Sequence, residues 1–498
     1  MQNLFLRKQM KPALLSVIML LSPMISVLHG QAPVKLTLDV ALEIAMSDNP
    51  TVKVADEEIE KKKYAQKGAY AALFPQISLS GNYSRTLKPQ VMYMDGAFDM
   101  GSMLDPVINP LLKGAEQTFA DIPGYVPGTF GKNVAANTEP PTTSSGDEGI
   151  KVGRDNNWSG GFSAAMPLIN VALWRSLDIS AIDVELAVEQ ARSSKIDMTN
   201  SVKKSYYSVL LAGDSYRVFK DSYDHATDNY KDIKNKYEQG LVAEYDLIRA
   251  NVSMRNIEPN LLQAENAVTL AKWQLKALLG MDLDREIECE GKLTDFQNNL
   301  YGDYLSINTS LDDNSTLRQL DLQRRLLNRT LAMQKADFLP TVSLSGNYQW
   351  TSMNNDFKFK EYLWNPYSVV QLSISWPLFS GGSRVFKLKQ TQVNLHQLRL
   401  QQNDAERSLQ LAVKQYEDNM ASCIKRFSAA QKGVEQADRG YDIARKRYDT
   451  GAGTLLEMND AELALMQAKL NFNQSIYDYM VSKSELDKIL GKQQSSIK

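Results

Sequence analysis

Leu339-Pro340-Thr341-Val342-Ser343-Leu344-Ser345-Gly346-Asn347-Tyr348 repeats an earlier run, Phe74-Pro75-Gln76-Ile77-Ser78-Leu79-Ser80-Gly81-Asn82-Tyr83, at an offset of 265 residues. Three shorter matches follow in the same order. Ala165-Met166-Pro167-Leu168 answers to Ser375-Trp376-Pro377-Leu378, Tyr237-Glu238-Gln239-Gly240 to Tyr448-Asp449-Thr450-Gly451, and Leu278-Leu279-Gly280 to Ile489-Leu490-Gly491. Chance supplies one such match but hardly four in order, so the chain reads as a twofold internal repeat. Residues 31–280 form the first half and 281–498 the second. The offset falls to 210–211 after the first match, which places an insertion of roughly 55 residues between the first two strands of the first half. That insertion, residues 85–157, holds seven of the 17 prolines and is expected to be a long exposed loop. Its Met92, Met94, Met100 and Met103 suit a lid, a partner surface or a loop packed on itself.

Each half carries two segments of strict alternation. Val342, Leu344, Gly346, Tyr348 and Trp350 alternate with Thr341, Ser343, Ser345, Asn347 and Gln349; Val370, Leu372, Ile374 and Trp376 alternate with Gln371, Ser373 and Ser375. The first half offers Ile77, Leu79, Gly81 and Tyr83, then Trp158, Gly160, Phe162, Ala164 and Met166. About ten residues per segment, apolar on one side and small-polar on the other, fit a tilted membrane strand lining a wet lumen. Alternation alone fits equally a half-buried strand of a soluble sandwich. Two other features favour the membrane.

The first is export. Arg7, Lys8 and Lys11 precede an apolar run from Ala13 to Leu28, the layout of a secretory signal peptide. It is too short to span a bilayer as a helix. Cleavage is expected after Gly30, giving a signal peptide over 1–30, although Leu28 is a poor residue at the −3 position. The second feature is a pair of very long helices. No proline lies between Pro167 and Pro259, and none follows Pro377. Tyr416, Met420, Cys423, Phe427, Ala430, Val434, Ala437, Tyr441, Ala444 and Tyr448 step by four and three, a coiled-coil heptad. Val202, Val209, Tyr216, Tyr223, Tyr230 and Tyr237 are their counterparts. A helix over 172–238 would run roughly 100 Å. Gly240 and Gly451 end these helices, and a second helix returns from each to Gly280 and Gly491. The tyrosines are expected to pack helices together.

Composition excludes several classes. Lys and Arg number 56 against 58 Asp and Glu, a net charge of −2, which argues against a nucleic-acid partner. A mean hydropathy of −0.35 rules out a helical-bundle membrane protein. Two cysteines and three histidines leave little for a disulfide framework or a metal site. No HExxH, GxSxG or P-loop pattern occurs, and Gly451-Ala452-Gly453 fails as a dinucleotide fingerprint because Leu456 stands where the third glycine belongs. No enzyme activity and no cofactor are expected.

Four strands cannot close a barrel, and an open edge in lipid leaves backbone groups unpaired, so several copies must share one barrel. With these features the sequence resembles the TolC-like outer-membrane efflux family along essentially its whole mature length. The carrying residues are Leu38–Ala41 with Asn49-Pro50, the strand-end prolines, and two hairpins. The hairpins are Tyr237-x-x-Gly240-Leu241-Val242-Ala243-x-x-Asp246 and Tyr448-x-x-Gly451-x-x-x-Leu455-Leu456-Glu457-x-x-Asp460-Ala461. The resemblance implies a mixed α and β chain in a homotrimer. Each protomer would give four strands to a barrel in outer-membrane lipid, continued by a periplasmic helical tunnel. It further implies docking of a periplasmic adaptor protein and an inner-membrane pump, with the hairpin tips Tyr237, Gly240, Leu241, Tyr448, Gly451 and Leu455 as the docking region. By the same resemblance Asp246, Glu457 and Asp460 line the periplasmic gate. The sequence departs from the family at Gly453, basic in some members, and Arg249 paired with Asp460 is a possible substitute. Thr454-Leu455-Leu456-Glu457 is also a helix capping box, so Glu457 has a structural role available beside a gating one. Two other functions stay open: an exported, non-transporting helical scaffold or surface protein, and a type I protein-secretion exit duct.

Overall fold

The computed structural model describes residues 34–92, 150–300 and 309–492, with six positions between 110 and 118. The expected signal peptide and most of the insertion 85–157 lie outside the described residues. In chain order come β1 (Val34–Leu36), α1 (Leu38–Asp48), α2 (Pro50–Ala71), β2 (Gln76–Arg85), β3 (Gln90–Met92), β4 (Ile150–Val152) and β5 (Asn156–Ile169). After these come α3 (Val171–Glu238), α4 (Glu244–Leu279) and β6 (Ile287–Cys289). The chain closes with α5 (Ser315–Ala336), β7 (Thr341–Asn354), β8 (Asn365–Ser375), α6 (Ser383–Asp449) and α7 (Leu455–Ile489). The insertion is not structureless at its base, because β3 and β4 pair there as an antiparallel ribbon.

The chain divides into two compact units, neither of which coincides with a sequence half. One comprises 64–181 and 327–393 and contains a four-stranded antiparallel sheet in the order β2-β5-β7-β8. Its register is the consequential feature. Leu79 lies opposite Phe162, Phe162 opposite Tyr348 and Leu344 opposite Leu372, so the apolar sets of all four strands share one face. Among the described residues that face has no cover: Ile77, Val370 and Ile374 are each more than 70% exposed. The opposite face is polar and bonded to itself, with Ser78 Oγ 2.7 Å from Ser163 Oγ and the Tyr367 hydroxyl donating to Gln349 Oε1 at 2.9 Å. Near one end of the sheet, Tyr83 and Trp158 pack with ring centroids 4.4 Å apart, and Phe359 meets Trp158 edge-on at 5.1 Å. At the other end Arg384, at the start of α6, donates to the carbonyls of Asp337 (3.0 Å) and Pro377 (2.6 Å), tying the helix to the segments just before β7 and just after β8.

The other unit, 1–63, 182–326 and 394–498, holds the core. Heptad residues occupy it as the sequence spacing requires: Val202, Val209, Met420, Cys423 and Phe427 are buried beside Ile476, Tyr479 and Met480. The parallel pair β1–β6 is fixed to this core by Tyr206, whose hydroxyl donates to the carbonyl of Glu290 at 2.6 Å. Two asparagines make matching corners. Asn49 donates to the carbonyl of Leu278 at 2.7 Å and accepts from the Thr51 N–H at 2.7 Å. Asn314 donates to the carbonyl of Ile489 at 2.6 Å and accepts from the Leu317 N–H at 3.0 Å. Each thus satisfies the end of one helix and the start of another, groups that a helix leaves unpaired by itself. Pro259 sits inside α4, at the cost of one backbone hydrogen bond. No helix among the described residues is long and apolar enough to cross a membrane.

The sheet has one position with no room for a side chain. A Cβ on Gly161 would overlap the Tyr348 carbonyl and lie 2.6 Å from Gln349 Cα, whereas one on Gly81 meets nothing within 4 Å. Gly161→Val should separate β5 from β7, cost more than about 3 kcal/mol, and remove the heat-modifiable band on gel electrophoresis. Gly81→Val should keep that band.

Candidate functional site at the hairpin tips

The turns joining α3 to α4 and α6 to α7 are built alike. The Gly240 N–H donates to the Tyr237 carbonyl at 2.8 Å and the Leu241 N–H to Lys236 at 2.8 Å; Gly451 donates to Tyr448 at 3.0 Å and Ala452 to Arg447 at 2.8 Å. This is a helix stop of the Schellman type, which needs a left-handed residue. Gly240 and Gly451 supply it, with φ of 73° and 75°. The glycines are therefore geometric, and they bring the flanking residues to one end of each hairpin.

Around these turns Tyr237 and Leu241 are exposed and Tyr448 is half-buried beneath the Lys236 ammonium, 5.5 Å from its ring centroid. Burial raises the Tyr448 hydroxyl pKa above its usual value, so Tyr448 stays neutral. Leu455 is buried, packed with Ile233, Ala250, Tyr441, Met458 and Leu465. It holds the hairpins together, and the exposed apolar residue beside it is Leu456.

The carboxylates divide into different settings. Glu457 is half-exposed and completes a capping box: its Oε2 accepts from the Thr454 N–H at 3.3 Å while Thr454 Oγ1 accepts from the Glu457 N–H at 3.2 Å. It also faces a cation, since Arg447 Nη1 lies 3.7 Å from Glu457 Oε2. Arg447 further donates to the Ala452 carbonyl at 3.1 Å, bracing the turn. Asp460, one turn on, is exposed, and Asp246 is half-buried in the first turn of α4. A carboxylate in a helix's first turn is favoured by the helix dipole. Among the described residues no ion pair joins Arg249 to Asp460; the cation facing Glu457 is Arg447, which the sequence reading missed. Gly453 explains why: a Cβ there would lie 3.0 Å from Arg447 Cβ and 3.2 Å from Glu457 Oε2. The space beside Arg447 exists because residue 453 has no side chain. A basic residue in a helix's last turn facing a glycine was the available sequence signal.

No group of three or more metal-ligating side chains occurs among the described residues. The tips present carboxylates, one compensating guanidinium and exposed Tyr237 and Leu241, a set suited to electrostatics and docking.

The sequence model of the family described as "Outer membrane efflux protein" matches residues 134–281 and 306–492. The chain is 22% identical over 335 residues to the outer membrane protein TolC of Vibrio cholerae, covering 67% of this chain and 76% of that protein. It is 24% identical over 328 residues to the probable efflux pump outer membrane protein TtgC of Pseudomonas putida, covering 64% of this chain and 65% of that protein. In fold it is similar to the CmeC outer membrane channel of Campylobacter jejuni, with a TM-score of 0.65 at 15% identity over 91% of this chain and 85% of the other.

The capping role can be isolated. Thr454→Ala removes one half of the box and should lower stability by about 1 kcal/mol, read as a reduced thermal midpoint. Glu457→Gln keeps an acceptor at the same place and should change the midpoint by less than half as much.

Proposed function

The chain belongs to the outer membrane efflux protein family, and on that premise we propose that it is a passive exit duct from periplasm to exterior for a tripartite efflux or secretion system. The observation that carries this reading is the four-stranded sheet with one polar face and, among the described residues, one uncovered apolar face and an unpaired edge on each of β2 and β8. In hydrocarbon such edges must be paired by another strand. Three copies would close a barrel with the polar faces inward, and the long hairpins α3–α4 and α6–α7 would continue it as a helical tunnel in the periplasm. The matching corners at Asn49 and Asn314 and the matching turns at Gly240 and Gly451 support reading 31–280 and 281–498 as equivalent halves. A signal peptide over 1–30 fits the same destination.

On this reading the hairpin tips form the periplasmic mouth. Tyr237, Leu241 and Leu456 offer apolar surface to a periplasmic adaptor, which links the duct to an inner-membrane pump. Asp246, Glu457 and Asp460 would each be brought together in threes about one axis. Like charges gathered in a narrow mouth repel and attract cations. Arg447 compensates Glu457 in part, so the exposed Asp460 would dominate the field there.

Planar-bilayer recording tests this directly. The purified protein should form cation-selective channels that multivalent cations block from the periplasmic side. Asp460→Asn should weaken both properties several-fold and Glu457→Gln less so. Channels whose selectivity and block survive the double variant would show that these carboxylates only cap and solvate the helix.

A further inference from the structure

Eleven residues past the second hairpin glycine, α7 buries a carboxylate. Glu462 is only 8% exposed, and its Oε1 has no hydrogen-bond partner. His225 of α3 approaches it, with Nδ1 3.4 Å from that oxygen but not aligned to bond it. Tyr441 of α6 lies parallel to the His225 ring, centroids 5.9 Å apart and planes within 10°. The site therefore joins three helices, and on α7 it falls between Met458 and Leu465 of the tip cluster. The matching position after the first hairpin glycine is Asn251, so each chain has one such carboxyl.

A buried oxygen with no partner is costly, and far more so when it bears charge. Burial raises the Glu462 pKa from 4.5 to about 7, against the opposing pull of Arg445. The groups that face the carboxyl are His225 from α3 and Tyr441 and Arg445 from α6. Asp442 and Asp449 act on the Tyr441 hydroxyl, and α4 contributes the uncharged Ala250 to the neighbouring layer.

We propose that Glu462, seated against His225 and Tyr441, is a proton-operated latch on the helical hairpins: protonated, it holds α7 tightly against α3 and α6, and on losing the proton it loosens that packing and favours opening of the mouth. Only the clause about opening rests on the channel reading above.

The direction follows from linkage. In the unfolded chain this carboxyl loses its proton near pH 4.5, whereas the folded protein keeps it to about pH 7. Across that window the folded form binds the extra proton, so the packing is most stable at the acid end and weakens as pH rises. Each site can change the equilibrium by at most about tenfold per pH unit. A periplasm open to external acid would thus meet a tighter tip.

Hydrogen exchange on the full-length protein, corrected for intrinsic pH dependence, reads the packing whether or not the protein conducts. From about pH 5.5 to about pH 8, protection of residues 455–470 should fall by about tenfold or more. Glu462→Gln, neutral at every pH, should stay at the protected level throughout. Wild-type protection that ignores pH, or a full pH response retained in Glu462→Gln, would each overturn the latch. In bilayers, wild-type open probability should rise over the same range while Glu462→Gln stays low. Failure of the channel reading shows separately, as absence of conductance at any pH.

Discussion

A strand edge in hydrocarbon has nothing to bond to except another strand, and the proposed barrel follows from that constraint. Each unpaired backbone group in lipid costs several kcal/mol, and the sheet β2-β5-β7-β8 ends with two open edges. The same sheet leaves its apolar face bare while its polar face is bonded to itself. A soluble sandwich would need a second apolar layer over that face, and among the described residues the unit supplies none. Sharing a barrel between copies meets both demands at once. The proposed trimer is in this sense a consequence of strand count and register.

The helices have constraints of their own. Arg384 fixes the start of α6 to the segments just before β7 and just after β8. Along α3 and α6 the heptad residues bury against their own chain, and Asn49 and Asn314 close the corners where helix ends would otherwise expose backbone groups. The tips have fewer such constraints. Their turns are glycine stops, Glu457 is held by one cap and one long ion pair, and a carboxyl lies unbonded behind them in Glu462. Glu457 and Glu462 both lie towards the end proposed to open.

Much of this was legible in the chain because its periods are simple. Alternation of two fixed the strands and their faces: Val342 to Trp350 and Val370 to Ile374 appear in β7 and β8 with the predicted sides together. Heptad spacing fixed α3 and α6, whose ends at Glu238 and Asp449 sit beside the glycines that marked them. What the sequence hid depends on register between elements distant in the chain. Leu455 fits a docking surface until Ile233 and Tyr441 are seen to cover it. Arg447 becomes the cation facing Glu457 only because the turn folds it over Gly453, and no spacing rule singles it out from neighbouring Arg445 and Lys446. Glu462 looks like one more solvated helix charge, and its burial requires three helices in place. The three-residue pairs β1–β6 and β3–β4 are too short for any period to mark.

The central claim is that β2 of one copy completes the sheet of another at β8. Disulfide trapping measures this without reference to conduction. Single cysteines at Ser78, Ser80 or Asn82 of β2 would be combined in one chain with cysteines at Val369, Gln371 or Ser373 of β8, all on the polar face. Mild oxidation in the membrane should give, for at least one combination, covalent dimers and trimers and no larger ladder. Only monomeric products across every combination, or an unlimited ladder, would contradict a closed barrel of three chains.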